Sequence, residues 1–303
     1  MNIEAVLHKP KLLRALTSLD AGEFARLLAA FEESVLARRS ECNRFGEKRR
    51  RAPGATGNPG ALPTAKARLF FVLFYFKCYP LQEVMGVLFG LSQPQVCLWI
   101  GRLTPLVSDA LGDELLLPTR RPADLTRLLE EVPELRVMLT IDGTERPIRR
   151  PADPQDRKDD YSGKKKAHRK KNLLLSSDSK RVVYLGPTSA GSVHDKKLAD
   201  ESGLIFPADA LVLKDTGFQG YEPTGGCATL QPKKKPRGRE LHSVQKTINQ
   251  VIARVRVGVE HAIAGVKRCR IVADTFRNLR AGFVDDAMSI ASGLHNLRVV
   301  TRA

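Results

Sequence analysis

The chain has 303 residues, with fifty Lys and Arg against thirty-three Asp and Glu, a formal net charge of +17. Hydrophobic residues at 42% are enough for one large or two ordinary globular domains, which excludes a disordered chain. The excess of cations implies a polyanionic partner, nucleic acid first. A membrane-surface protein is disfavoured, because no Lys-rich amphipathic helix with a bulky apolar face is present.

The five cysteines, Cys42, Cys78, Cys97, Cys227 and Cys269, are scattered and form no C-x-x-C pair. Neither a zinc site nor a disulfide framework is indicated, and reduced thiols in a cytoplasmic, nucleoid-associated protein are expected. The N-terminus lacks a basic-then-apolar signal, and the most apolar run, "LFFVLFYF" at residues 69–76, is too short to span a bilayer.

In chain order, residues 11–36 carry helical periodicity, with Leu16, Phe24, Leu27, Leu28 and Phe31 on one side. "RRSECNRFGEKRRRAPGATGNPGALPT" follows, rich in Arg, Gly and Pro, and reads as a linker or basic arm. Thr64 is a candidate N-cap for a helix that runs to a stop at Pro80. Residues 81–89 form a short amphipathic helix broken by Gly90; Ser92 caps the next, with Pro94 in its first turn. Two short helices about a tight turn describe a helix-turn-helix. In that motif the second helix enters the major groove and its N-terminal residues face base edges. Here those are Ser92, Gln93 and Gln95, with Arg102 further along and Val96 and Ile100 packed inward. An ordinary helical hairpin is the competing reading, and the charge excess favours DNA.

Beyond Pro122 the pattern turns to strands: "LRVMLTIDG", "NLLLSSD", "RVVYLGP" and, after a helical interval, "ALVLKDTG". Residues 243–267 are helical, and "AGFVDDAMSIASGLHNLRVV" closes the chain as a further helix. The expected domains are 1–60, an N-terminal helix and basic linker; 61–121, a helix-turn-helix; and 122–303, an α/β catalytic domain.

Three acids are candidates for chemistry. Asp142 is expected to end the first strand and Asp215 the fourth, while Glu260 lies on a late helix. Each has a plain alternative: Asp-Gly and Asp-Thr-Gly turns for the first two, and an ion pair with Arg256 for the third. If a mixed sheet brings them together, they suit Mg²⁺, which takes few protein carboxylates and keeps waters for substrate oxygens. Two such ions about 4 Å apart hold the attacking and leaving oxygens of an in-line phosphoryl displacement. Cations surround these acids. Lys164, Lys165, Lys166, Arg169, Lys170 and Lys171 crowd residues 164–171, and "KKKPRGR" follows at 233–239; such runs neutralise phosphates without reading sequence. Arg256 and Lys267 share a helix face with Glu260.

From residue 62 to 297 the chain resembles the DDE transposases of bacterial insertion sequences, in the branch related to eukaryotic Harbinger elements. "LFFVLFYFKCYPLQEVMGVLFGLSQPQVCLWIGRL" is similar to the family's helix-turn-helix. "IDGTERPI", "YSGKKKAH", "GSVHDKKL", "LKDTGFQGY" and "RVRVGVEHAIAGVKR" resemble its catalytic blocks, in order. The resemblance implies an RNase H-like domain, a mixed five-stranded sheet with flanking helices, preceded by an all-α helix-turn-helix domain. It implies Asp142, Asp215 and Glu260 as catalytic, metal-holding acids for two Mg²⁺ ions, with Mn²⁺ able to substitute. A superfamily signature of Tyr, Arg, Glu and Lys is matched by Arg256, Glu260 and Lys267, with Ala253 at the Tyr position. Asp195, in "GSVHDKKL", is the runner-up metal ligand, ranked lower because it is expected to begin a helix. The segment between Asp215 and Glu260 is too short for the strand-rich insertion of some relatives. The expected activity is binding of terminal inverted repeats, cleavage at the element's ends and joining of 3′ ends to target DNA, with a homodimer pairing the ends. The alternatives are a catalytically inactive, transposase-derived DNA-binding regulator and an RNase H-like nuclease that cuts without joining.

Overall fold

The computed structural model describes residues 1–41, 60–236, 238 and 240–302. Most of the basic arm, with Cys42, and the two arginines of "KKKPRGR" therefore lie outside the described residues. The chain divides into two compact units, the first comprising residues 1–117, 268–271 and 286–301, the second 118–267 and 272–285.

The first unit begins with α1 (Ile3–Leu7), α2 (Pro10–Thr17) and α3 (Ala21–Glu41). The single helix expected over residues 11–36 is interrupted at Ser18, whose φ of 67° is left-handed. It restarts through a reciprocal cap: Glu23 accepts from the Asp20 N–H at 2.8 Å and Asp20 from the Glu23 N–H at 3.0 Å. Apolar residues continue on both sides, so periodicity alone does not register the break.

Next comes α4 (Ala65–Cys78), capped by the Thr64 side chain and ended by Tyr79 in the left-handed region. Leu69, Phe70, Phe71 and Val72 are all fully buried, so this helix is apolar all round because it is central to its unit. α5 (Gln82–Phe89) and α6 (Gln93–Asp113) meet at 95°, within the range of a helix-turn-helix. The turn uses Gly90 at φ +67°, and Gln95 accepts from the Ser92 N–H at 2.8 Å to start α6. Val96 and Ile100 are buried as expected, and Phe89 sets its ring edge against Phe71 at 4.8 Å, which seats the pair on α4.

The second unit contains α7 (Pro122–Glu131), β1 (Met138–Pro147), α8 (Pro154–Asp159), β2 (Tyr161–Ser162), β3 (Ala167–Ser177), β4 (Val182–Leu185), β5 (Ser189–Ala190), α9 (Asp195–Asp200), β6 (Leu211–Leu213), β7 (Ala228–Leu230) and α10 (Ser243–Val266). Across the sheet the main order is β4-β3-β1-β6-β7; β4, β3 and β1 are antiparallel, while β6 and β7 run parallel to β1. The two-residue strands β2 and β5 add to the N-terminal half of β3. Three antiparallel strands, then two parallel to the first, with helices flanking, make the RNase H-like sheet. Leu139, Ile141, Leu173, Leu175, Val212 and Phe218 form its core together with Leu125 and Leu129 of α7. The fifth strand, β7, is a three-residue exposed segment, too short and too polar in setting to show periodicity.

β1 does not end at Asp142. It continues to Pro147, pairing Thr144 with Asn172, Glu145 with Lys171 and Arg146 with Lys170. Its second half is held by polar contacts: Arg146 is 1% exposed and donates to Asn172 and to Thr188, and Thr188 donates to Asp285 at 2.9 Å. Burying a guanidinium requires such acceptors, and the carboxylate of Asp285 also pairs with Arg120.

Two helices complete the chain, α11 (Arg270–Ala273) and α12 (Phe283–Arg302). Residues 286–301 cluster with the helical unit although they follow the sheet in sequence. The reason is the face of α12: Ala287, Ile290, Ala291, Leu294 and Leu297 are buried, the Asn296 amide donates to the Leu116 carbonyl at 2.8 Å, and Arg298 donates to the Ser18 hydroxyl at 2.7 Å. Among the described residues no single helix is long and apolar enough to cross a membrane.

Candidate active site

The centre of the sheet, where β1 and β6 run parallel, positions two of the acids. Asp142 sits mid-strand, its carboxylate accepting from the Gly143 N–H at 2.8 Å. Asp215 follows β6 by two residues and caps a single helical turn, Thr216–Phe218, by accepting from the Gly217 N–H. Gln231 donates its amide to the Asp215 carbonyl at 2.5 Å and ties that turn to the chain beyond β7.

A third carboxylate joins them. Asp195 is the first residue of α9, and a Cβ placed on Gly143 would fall 2.5 Å from its Oδ1, one on Gly217 3.1 Å from its Oδ2. Asp195 therefore lies against the backbone beside Asp142 and against the turn of Asp215 at once. Glycine at 143 is what permits the approach.

The electrostatics record the crowding. Burial pushes the Asp142 carboxyl up to about 6, opposed by the Gly143 N–H and Arg256, with the charges of Asp215 and Asp195 adding to the rise. Two cations stand in the cluster. Lys171, 6% exposed, places its ammonium 2.9 Å from the Val193 carbonyl, 3.1 Å from Asp195 and 3.5 Å from Glu145. Arg256, from α10, lies 3.7 Å from Asp215. Burial lowers the Lys267 ammonium, with Arg169 adding to it, against the charges of Glu145 and Asp142.

Glu260 is exposed on α10. By helical spacing it lies four positions after Arg256, which faces Asp215, and seven before Lys267, which senses Glu145 and Asp142. The structure thus gathers Asp142, Asp195 and Asp215 and leaves Glu260 one helical turn beyond Arg256. Among the described residues no three His, Cys, Asp or Glu side chains close to coordination geometry.

The basic run divides. Lys164, Lys165 and Lys166 are exposed at the tip of the β2–β3 hairpin. Arg169 turns to Glu145 at 3.8 Å, Lys170 pairs with Asp160 at 2.9 Å, and Lys171 points inward. For Lys171 the position differs from the expected phosphate contact, because its cross-strand partner is Glu145 and that face is buried. On α6, Ser92, Gln93, Gln95 and Arg102 are all exposed.

Sequence reasoning passed over Glu145, Gln231 and Asn249. Glu145 lies three residues after Asp142, where a strand thought to have ended gave no reason to count it. Asn249 on α10 accepts from the Lys233 N–H and donates to the Lys233 carbonyl, both at 2.9 Å. This clasp helps shape a cavity of about 440 Å³ beside the Asp215 turn, lined by Thr216, Gln219, Gln231, Lys233, Lys234 and Gln245.

An RNase H-like sheet with carboxylates at its central strands, in one chain with a helix-turn-helix, defines a class of polynucleotide-cutting enzymes. The family model for the DDE superfamily endonuclease matches residues 141–296, and that for the helix-turn-helix of the same superfamily matches 60–113. The chain belongs to the DDE superfamily endonucleases. Among curated proteins it is similar to the probable transposase for insertion sequence element IS702 of Microchaete diplosiphon, 28% identical over 258 residues, 85% of this chain and 87% of that protein. It is also similar to the putative transposase for insertion sequence element IS112 of Streptomyces albus G, 27% identical over 251 residues, 80% of this chain and 82% of that one. No solved structure matches.

The family implies a divalent metal ion. The site's donors fit one: they are hard carboxylate oxygens, and Lys171 and Arg256 are drawn in against Asp195 and Asp215.

Proposed function

We propose that this chain is a transposase that binds the terminal inverted repeats of an insertion sequence, cuts at its ends and joins the 3′ ends to target DNA. The observation that supports the reading is that Asp142, on β1, senses the charges of Asp215 and Arg256, with β6 parallel to β1 and Arg256 of α10 3.7 Å from Asp215. Asp142, Asp215 and Glu260 would hold two Mg²⁺ ions, for which Mn²⁺ would substitute, with Asp195 the next candidate ligand. Bound there, the ions supply charge stabilisation for both oxygens of an in-line displacement.

The chain's own residues do the rest. The exposed Ser92, Gln93, Gln95 and Arg102 of α6 meet base edges, and Lys164, Lys165 and Lys166 meet backbone phosphates. Arg256 and Lys267 flank the acids where the scissile phosphate would lie. Water attacks that phosphorus and frees a 3′-hydroxyl; the hydroxyl then attacks a target phosphodiester and releases a target 3′-hydroxyl in its place. The acids position both displacements without a covalent protein intermediate. Pairing two ends calls for a homodimer.

The experiment is one reaction with labelled end DNA, a plasmid target and Mg²⁺. Retarded end DNA, nicked ends and end–plasmid joints are all expected. Cutting without joints would leave a plain nuclease, and binding without cutting a DNA-binding regulator.

A further inference from the structure

Lys171 is a nearly buried cation at the acidic edge, 6% exposed, and its surroundings are specific. The ammonium of Lys171 has a carbonyl, Val193 O, at 2.9 Å and two carboxylates, Asp195 at 3.1 Å and Glu145 at 3.5 Å. Asp195 in turn lies against the backbone flanking Asp142 and within the Asp215 turn. Four carboxylates, of Asp142, Glu145, Asp195 and Asp215, thus share an edge with two cations in direct contact, Lys171 and Arg256.

We infer that Lys171 is a tethered counter-cation of the acidic site, a positioning residue that occupies one oxygen of Asp195 and weakens the hold on divalent ions until DNA arrives. The inference rests on the proposed function for the identity of the site and reassigns a residue that this function would otherwise give to DNA. A charge at about 3 Å from a ligand oxygen, largely out of water, opposes a second cation strongly. The phosphate of bound DNA supplies the negative charge that offsets it. Divalent-ion uptake and substrate loading are coupled as a result.

The test measures Mn²⁺ binding to the full chain without DNA, by the electron paramagnetic resonance of free Mn²⁺. Lys171→Gln keeps amide donors for the Val193 carbonyl and removes only the charge. It is expected to bind Mn²⁺ about tenfold more tightly than the parent chain. Lys171→Arg, which restores the charge, should return to the parent value, an outcome that mere packing would not produce. Should Lys171→Gln fail to fold, Arg256→Gln on the outer side of the cluster tests the same electrostatics and should also tighten Mn²⁺ binding. A salt titration of duplex-DNA binding provides the second readout, and Lys171→Gln is expected to leave its slope unchanged. Unchanged or weaker Mn²⁺ binding in the variants that remove the charge, or a slope lowered by about one phosphate contact in Lys171→Gln, overturns the inference. A parent chain that takes up no Mn²⁺ and binds no DNA overturns the proposed function with it.

Discussion

The two halves of β1 are one continuous strand built on different physics. Before Asp142, Leu139 and Ile141 are fully buried in the apolar core. After it, Arg146 is almost as buried but donates to Asn172 and Thr188, and Glu145 is met by Lys171 and Arg169. Stability in the first half comes from excluded water, whereas in the second it depends on every charge finding its partner. Asp142 stands at the join, and the comparison teaches that the reactive edge begins where the sheet stops being held by hydrophobic burial.

The largest effect expected is at the join itself. Asp142→Asn should lower cutting by about 10³-fold or more, since positioned charge supplies most of such catalysis, while end-DNA binding in a mobility-shift assay stays within about twofold. The same change sharpens the contrast in stability. The Asp142 carboxyl rises from 3.8 unfolded to about 6 folded. Between those values the folded chain binds a proton that the unfolded chain has released, so stability declines as pH rises through that window and the full penalty stands above it. Without divalent ions, Asp142→Asn should therefore be more stable than the parent by about 1–3 kcal/mol at pH 7, with the gap closing below pH 4. Denaturant titrations at several pH values check this; a gap independent of pH would refute the crowding.

Next in size is the apolar half. Ile141→Ala should cost about 2–5 kcal/mol in a denaturant titration with little dependence on salt or pH. In the polar half, Asn172→Leu orphans a donor of Arg146 and should cost about 1–3 kcal/mol, despite replacing a polar side chain by an apolar one. If the leucine stabilises the chain, the account of that half fails. The smallest effect is at the hairpin tip. Replacing Lys164, Lys165 and Lys166 by Gln should leave folding alone and reduce the slope of log affinity against log salt by about 0.9 per lost phosphate contact.

Legibility in the sequence followed the same division. The apolar runs of β1, β3, β4 and β6 and the helix-turn-helix announce themselves by period and by turn residues, while the RNase H-like class of the sheet comes from the resemblance. The second half of β1 did not, because charged residues buried in pairs carry no periodicity. The break at Ser18 was hidden by an apolar pattern that continues past it. Of the candidate site, Asp142 and Asp215 are legible as acids near strand ends and Glu260 as an acid on a late helix, and the resemblance supplies the role proposed for all three. The approach of Asp195 through Gly143, and the inward turn of Lys171 within a run of solvated cations, depend on cross-strand register, which a single chain of letters does not encode.

The return of residues 286–301 to the helical unit has a temporal consequence. A ribosome releases the helix-turn-helix early, but the partners that α12 brings to Leu116 and Ser18 emerge only after the whole nuclease sheet has been translated. The helical unit is thus finished last, and a prematurely stopped chain would lack a completed one.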